Sequence, residues 1–207
     1  MTMDETRLAA PALLIVDMQN DFVRAGAPLE VPDARATFGA HRRLIDAFRR
    51  VGAPVVYTKF LATREPSLLW RWSPQCAPPT LCCHKGFARP YADTAAPLEC
   101  TDIVVELAPE AHDLVIEKYG YGAFHGTPLS DLLRQRGVRS LVVTGTVTQI
   151  CVEESAREAF HHGFSTTLVA DAVSSFAPDL HAATLKNFAM KFGWVDTADA
   201  VARRLAA

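Results

Sequence analysis

The chain has almost no excess charge of either sign. Its 207 residues hold 21 lysines and arginines against 23 aspartates and glutamates, a formal net charge of −2. That balance lacks the basic footprint of a nucleic-acid or membrane surface, so neither is expected as a partner. No apolar run approaches the roughly 18 residues that a membrane span requires. Met1 to Arg7 carries two acids and no apolar core, unlike an export signal, and a cytoplasmic location is expected. The five cysteines are an odd number in a chain without such a signal, which fits reduced thiols better than a disulfide framework. Internal repeats and low-complexity linkers are also lacking. With 49% hydrophobic residues, a single domain over residues 1–207 with one well-buried core is the economical reading.

What is present is an alternation of two periodicities. Strand-like apolar runs fall at 12–16, 53–58, 112–117, 139–144 and 165–170, with a short last one at 194–195. Helical spacing covers 34–51, 128–135, 152–161, 180–192 and 198–205. Strands alternating with helices predict an α/β fold: three α/β/α layers around a doubly wound, mainly parallel six-stranded sheet.

The sequence Gly145-Thr146-Val147-Thr148-Gln149-Ile150-Cys151 lies between the fourth run and the helical spacing that starts near Val152. It reads as strand, tight turn, helix, with a cysteine where the helix begins. A thiol there feels the positive end of the helix dipole, so a lowered pKa and a nucleophilic role are expected. Position alone also fits a buried cysteine acting as a small hydrophobe. Asp17 ends the first run and Lys118 ends the third. Ligands of open parallel sheets bind beyond the carboxyl ends of the strands, where all three residues fall. Taken singly, Asp17 also suits a helix N-cap and Lys118 a solvated strand end.

Three segments carry a family resemblance: Val16-Asp17-Met18-Gln19-Asn20-Asp21-Phe22, Lys118-Tyr119-Gly120-Tyr121-Gly122-Ala123-Phe124 and Gly145-Thr146-Val147-Thr148-Gln149-Ile150-Cys151-Val152. Over residues 12–194 the sequence resembles the isochorismatase-like cysteine hydrolases, which include nicotinamidases and N-carbamoyl amidohydrolases. The resemblance implies an amidohydrolase of small amide or ureido compounds that needs no cofactor. In that reading Cys151 attacks the carbonyl to form a thioester, Asp17 moves the protons, and Lys118 favours the thiolate and orients Asp17. It also implies a cis peptide at Thr146-Val147, an oxyanion hole from the N–H groups of Val147 and Cys151, and a homo-oligomer, dimer or tetramer.

Two departures narrow the expectation. Metal-dependent nicotinamidases carry an Asp-x-His pair after the second strand, where this chain reads Tyr57-Thr58-Lys59-Phe60 with no histidine until His84. No nicotinamidase-type metal site is expected, and nicotinamide is disfavoured as substrate. Isochorismatases proper cleave a vinyl ether without a cysteine nucleophile, so Cys151 argues for C–N hydrolysis. Vinyl-ether or ester hydrolysis is the alternative within the family, and a non-catalytic redox sensor using Cys151 is the alternative outside it.

Residues 61–100 follow the second strand and are expected to overhang the site as a loop or lid. They carry Trp70, Trp72 and Phe87, with Arg64, Arg71, Lys85 and Arg89 against Glu65. Arg71 or Arg89 could grip a substrate carboxylate or ureido oxygen; solvated arginines on a lid or subunit contact are the other reading. Cys76, Cys82, Cys83, His84 and Cys100 lie in the same stretch, but their spacing fits structural zinc poorly and packed reduced thiols are expected. Candidate substrate contacts are Phe22, Trp70, Arg71, Tyr119, Phe124, His125, Thr148 and Gln149. His125 could pair with Cys151 as a dyad, but Asp17 with Lys118 already supplies the base, and a loop residue near the site is the favoured reading. Core packing is the alternative for Phe22, Tyr119 and Phe124, and turn stabilisation for Thr148 and Gln149.

Overall fold

A computed structural model describes residues 6–206. Its central sheet has six strands, all parallel: β1 (Pro11–Val16), β2 (Val55–Phe60), β5 (Leu114–Lys118), β6 (Ser140–Thr146), β7 (Ser165–Ser174) and β8 (Trp194–Asp196). They lie in the order β5-β2-β1-β6-β7-β8. The chain winds outward from β1 to β5, returns to the other side of β1, and continues to β8. The sheet is therefore doubly wound, and its topological switch point lies between β1 and β6.

Strand periodicity accounts for the three layers. Leu13 and Ile15 of β1 face one hydrophobic core, while Ala12, Leu14 and Val16 face the other. On the first face, α2 (Phe38–Arg50) buries Leu44, Ile45 and Phe48, beside Val201 of α7 (Ala198–Leu205). On the second face lie α4 (Leu129–Gln135), α5 (Glu153–His161) and α6 (Pro178–Lys191), which contribute Leu133, Ala156 and Phe188. Both faces of the central strands β1 and β6 are dry, which explains their near-continuous apolar sequence, while the edge strands β5 and β8 are only partly covered.

Several boundaries differ from the sequence expectation. The segment Pro32–Thr37 is a 3-10 turn, so α2 begins at Phe38 and not at 34; Pro32 suits that tighter start. Strand β7 continues past Asp171 to Ser174, because Ala172 and Val173 bury beyond it and Asp171 accepts a bond from the Ala198 N–H. A short α1 (Asn20–Val23) follows β1. Residues 61–100 also contain α3 (Leu68–Trp72) and a small antiparallel ribbon of β3 (Ala88–Arg89) and β4 (Leu98–Glu99).

Candidate active site

At the carboxyl end of β1, Asp17 takes a left-handed backbone conformation, φ 51°, which aspartate tolerates better than most residues. Its side chain is wholly buried. Thr58 of β2 donates to Asp17 Oδ1 at 2.6 Å and accepts from the Asp17 N–H at 3.2 Å. Lys118, the last residue of β5, reaches across β2 and places Nζ 2.7 Å from Asp17 Oδ2. Crossing one intervening strand, about 10 Å from β5 to β1, needs a side chain of lysine's length. The ammonium also donates to the carbonyls of Gly120 at 3.0 Å and Tyr121 at 2.8 Å, and lies 5.5 Å from the Phe60 ring centroid. Burial opposes its charge, but the attraction of Asp17 and the neighbouring Cys151 holds the Lys118 pKa above the ordinary lysine value. Neither bland reading fits this geometry: Lys118 is not solvated, and the residue preceding α1 is Gln19, not Asp17.

Cys151 arrives from the other side of the switch point. Gly145 has φ 112°, and a Cβ there would stand 2.1 Å from the Val16 carbonyl oxygen, so only glycine lets β6 close on β1. The Thr146-Val147 peptide is cis, and Thr148–Val152 forms a single π-helical turn ahead of α5. The thiol therefore sits in a wide turn and not at the first residue of α5. Ser155 ties the turn down by donating to the Cys151 carbonyl at 2.6 Å, and accepts from the Ala123 N–H at 3.0 Å. Glu158 accepts from the Phe124 N–H at 2.8 Å. The loop after Lys118 is thus docked on the helix that carries the cysteine.

The expected lowering of the thiol pKa is not found. Burial pushes the Cys151 thiol up to about 12; Lys118 opposes this, while Asp17 adds to it by charge and hydrogen bonding. Desolvation outweighs the single cation, and the helix dipole acts from behind a turn. The sulfur of Cys151 therefore rests as a thiol beside the Lys118–Asp17 pair.

A cavity of about 550 Å³ opens onto Cys151 and Val147. Phe22, Phe60 and Tyr121 form one wall, with ring centroids 6.3 Å apart for the first pair and 6.4 Å for the second. Leu29, Trp72 and Phe176 continue the lining toward the rim.

Of the residues expected to touch substrate, Phe22 lines this cavity and the others do not. Trp70 packs against the core and meets His84 edge-on at 5.8 Å; its neighbour Trp72 lines the cavity instead. Arg71 and His125 are exposed away from the cavity, as is Tyr119, whose place is taken by Tyr121 two residues on. Phe124 is a core residue stacked 4.9 Å from His162. Thr148 bonds to the Ser174 carbonyl and His181, and Gln149 accepts from Ser175 Oγ; both hold the turn. Arg89 does not face the cavity, since its Nε lies 2.9 Å from Asp21 Oδ1 and its guanidinium donates to the carbonyls of Thr80 and Leu81.

The sequence reading missed a group of anchors. Gln19 exchanges bonds with the Phe60 backbone and donates to the Thr101 carbonyl, and Asn20 donates to the Glu99 carbonyl. Asp21 accepts from the Cys83 N–H and the Tyr91 hydroxyl, both at 2.7 Å. Together these polar side chains staple residues 83–101 above the site. Three consecutive polar residues straight after a buried strand were the available signal. Asp21, Cys82 and Cys83 also bring a carboxylate and two thiols within 4.8 Å of one another. Both Asp21 oxygens are already engaged, Arg89 lies against them, and burial raises both thiols. This donor set suits a neutral packed cluster better than a cation.

Residues 11–200 match the isochorismatase domain model. The chain belongs to the isochorismatase family. It is 31% identical over 201 residues to a ureidoacrylate amidohydrolase of Agrobacterium fabrum, covering 90% of this chain and 86% of that one. N-carbamoylsarcosine amidase of Thermoplasma acidophilum superposes with a TM-score of 0.71 at 30% identity, covering 91% of this chain and 96% of its own. A cysteine hydrolase of Pseudomonas syringae shares the fold with a TM-score of 0.85 at 24% identity, covering 95% and 92%. Among the described residues no helix is long and apolar enough to cross a membrane.

Proposed function

We propose that this member of the family is a cysteine-dependent amidohydrolase that cleaves a C–N bond of a small amide or ureido compound. The observation that carries the reading is the buried Lys118–Asp17 ion pair at 2.7 Å, beside Cys151, which opens onto the cavity. The relatives named as amidohydrolase and amidase support the bond type.

In this mechanism Asp17 takes the Cys151 proton as sulfur attacks the carbonyl carbon. A thiol held near 12 favours transfer during attack over a standing thiolate. The tetrahedral oxyanion is received by the N–H groups of Val147 and Cys151, donors whose loss typically costs a hundredfold or more. Asp17 returns the proton to the leaving nitrogen as the C–N bond breaks, leaving a thioester. Asp17 then deprotonates water for attack on the thioester, and the proton restores the thiol as the carboxylic acid departs. Lys118 keeps Asp17 oriented throughout. Redox sensing requires a low-pKa thiol, and burial acts in the opposite direction.

A homo-oligomer of single-domain subunits belongs to the same reading, and light scattering on the purified protein measures it. The test of the chemistry is ammonia release from a panel of small amides and ureido compounds, with intact-mass detection of an acyl adduct. Release that is lost in Cys151→Ala and accompanied by the adduct supports the proposal. Release that survives in Cys151→Ala overturns it.

A further inference from the structure

The charge of the cavity points to a substrate class. Among the described residues that line it, Glu30 is the one charged side chain, and most of the rest are aromatic or aliphatic. The two arginines that could have received an anion are elsewhere, Arg89 tied to Asp21 and Arg71 exposed on α3. The catalytic ammonium of Lys118 is spent on Asp17 and two carbonyls. A substrate carboxylate entering this cavity would lose water and find no unpaired cation among the residues that line it.

We propose that the cavity takes a neutral carboxamide bearing an aromatic or aliphatic group, and discriminates against amides and ureido acids that carry a free carboxylate. The amide carbon sits at Cys151, and the apolar group lies along Phe22, Phe60 and Tyr121 toward Trp72 and Phe176. A volume of about 550 Å³ leaves room for a group of several carbons or a ring. Glu30 is held at the rim by Arg35 at 2.8 Å and by the Gly26 N–H at 2.8 Å. Arg35 beside it keeps its carboxyl below the usual glutamate range, so the two hold each other as an ion pair and Arg35 is not free to receive a substrate anion. The balance is one amide and one water giving one carboxylic acid and one ammonia. The acid ionises on release, so the same apolar lining that disfavours carboxylates also favours departure of the product.

This inference rests on the amidohydrolase reading, and the experiment separates the two. Ammonia release is measured for pairs matched in size: hexanamide against adipamate, and 4-methylbenzamide against 4-carbamoylbenzoate, with N-carbamoylglycine and ureidoacrylate as further anions. Binding of the same compounds to Cys151→Ala is measured by calorimetry. We expect kcat/KM at least tenfold higher for the neutral member of each pair, binding of neutral amides alone to Cys151→Ala, and a narrower ratio in Phe176→Arg, which places a cation at the exposed rim. Equal or greater turnover or binding of the carboxylates overturns the substrate class while leaving the amidohydrolase intact. Release from none of the compounds counts against the hydrolase, and the binding arm then decides the class by itself: no preference for neutral amides overturns it.

Discussion

Lys118 Nζ and Asp17 Oδ2 lie 2.7 Å apart with both side chains fully buried, although the residues end strands separated by β2. An ion pair so placed is costly to break from one side, because the remaining charge has no water to return to. Asp17→Asn keeps the shape and removes the counter-charge. We expect a destabilisation of about 3–5 kcal/mol in chemical denaturation, a fall in the Lys118 pKa now that burial acts unopposed, and a kcat loss of roughly 10²–10⁴ from the missing proton acceptor. A stability unchanged within 1 kcal/mol would contradict the pairing.

The cysteines differ in access more than in acidity. Burial raises Cys76, Cys100 and Cys151 alike to about 12, but of these only Cys151 borders the cavity. Iodoacetamide in the native state is expected to label Cys151 first, at a rate that climbs with pH and shows no plateau below about pH 10. Peptide mapping of a time course checks both; a plateau near pH 7 would show a thiolate stabilised at rest.

The same thiols set a pH dependence of stability. Their folded values near 12 lie above the ordinary thiol value of about 9, so the folded chain keeps protons that the unfolded chain releases. Their contribution is complete below pH 9 and is lost as pH rises from 9 toward 12, by up to about 1.4 kcal/mol per pH unit for each thiol. Denaturant midpoints measured from pH 8 to 10.5 are expected to fall, and to fall less in Cys76→Ala and Cys100→Ala.

Gly145 is constrained both by its φ of 112° and by the Val16 carbonyl oxygen, 2.1 Å from where a Cβ would be. Backbone cannot swing aside as a side chain can. Gly145→Ala is expected to cost roughly 3 kcal/mol or more and to reduce activity through the displaced cysteine turn. Soluble expression together with a thermal melt checks it.

Asp21→Ala would strand the Tyr91 hydroxyl and the Cys83 N–H and remove the counter-charge of Arg89, all buried or nearly so. The expected loss is about 3 kcal/mol, with faster proteolytic nicking within residues 61–104 and a raised KM, since Trp72 and Ser73 of that stretch line the cavity.

Sequence reading located the central strands well because both their faces are buried and the apolar runs are nearly unbroken. It was weaker where structure depends on what approaches from elsewhere. Asp171 looked like a strand end, yet β7 runs on to Ser174 because α7 supplies an N–H to its carboxylate. Trp70 was the expected substrate contact, but a five-residue helix turns it toward the core and Trp72 to the cavity. Tyr119 and Tyr121 were divided in the same way by the loop after β5.

By itself the sequence determined the alternation of strands and helices, the parallel sheet, and the placing of Asp17, Lys118 and Cys151 at or just beyond the carboxyl ends of three strands. Those properties follow from local periodicity and from family motifs carried in contiguous segments. Only the tertiary structure decided that β1 separates β2 from β6, that Lys118 spans β2 to reach Asp17, and that Arg89 is spent on Asp21. It also decided that the thiol is raised and not lowered. Strand order, solvent exclusion and the partner of a long cationic side chain arise from contacts between residues far apart in the chain, and no local pattern records them.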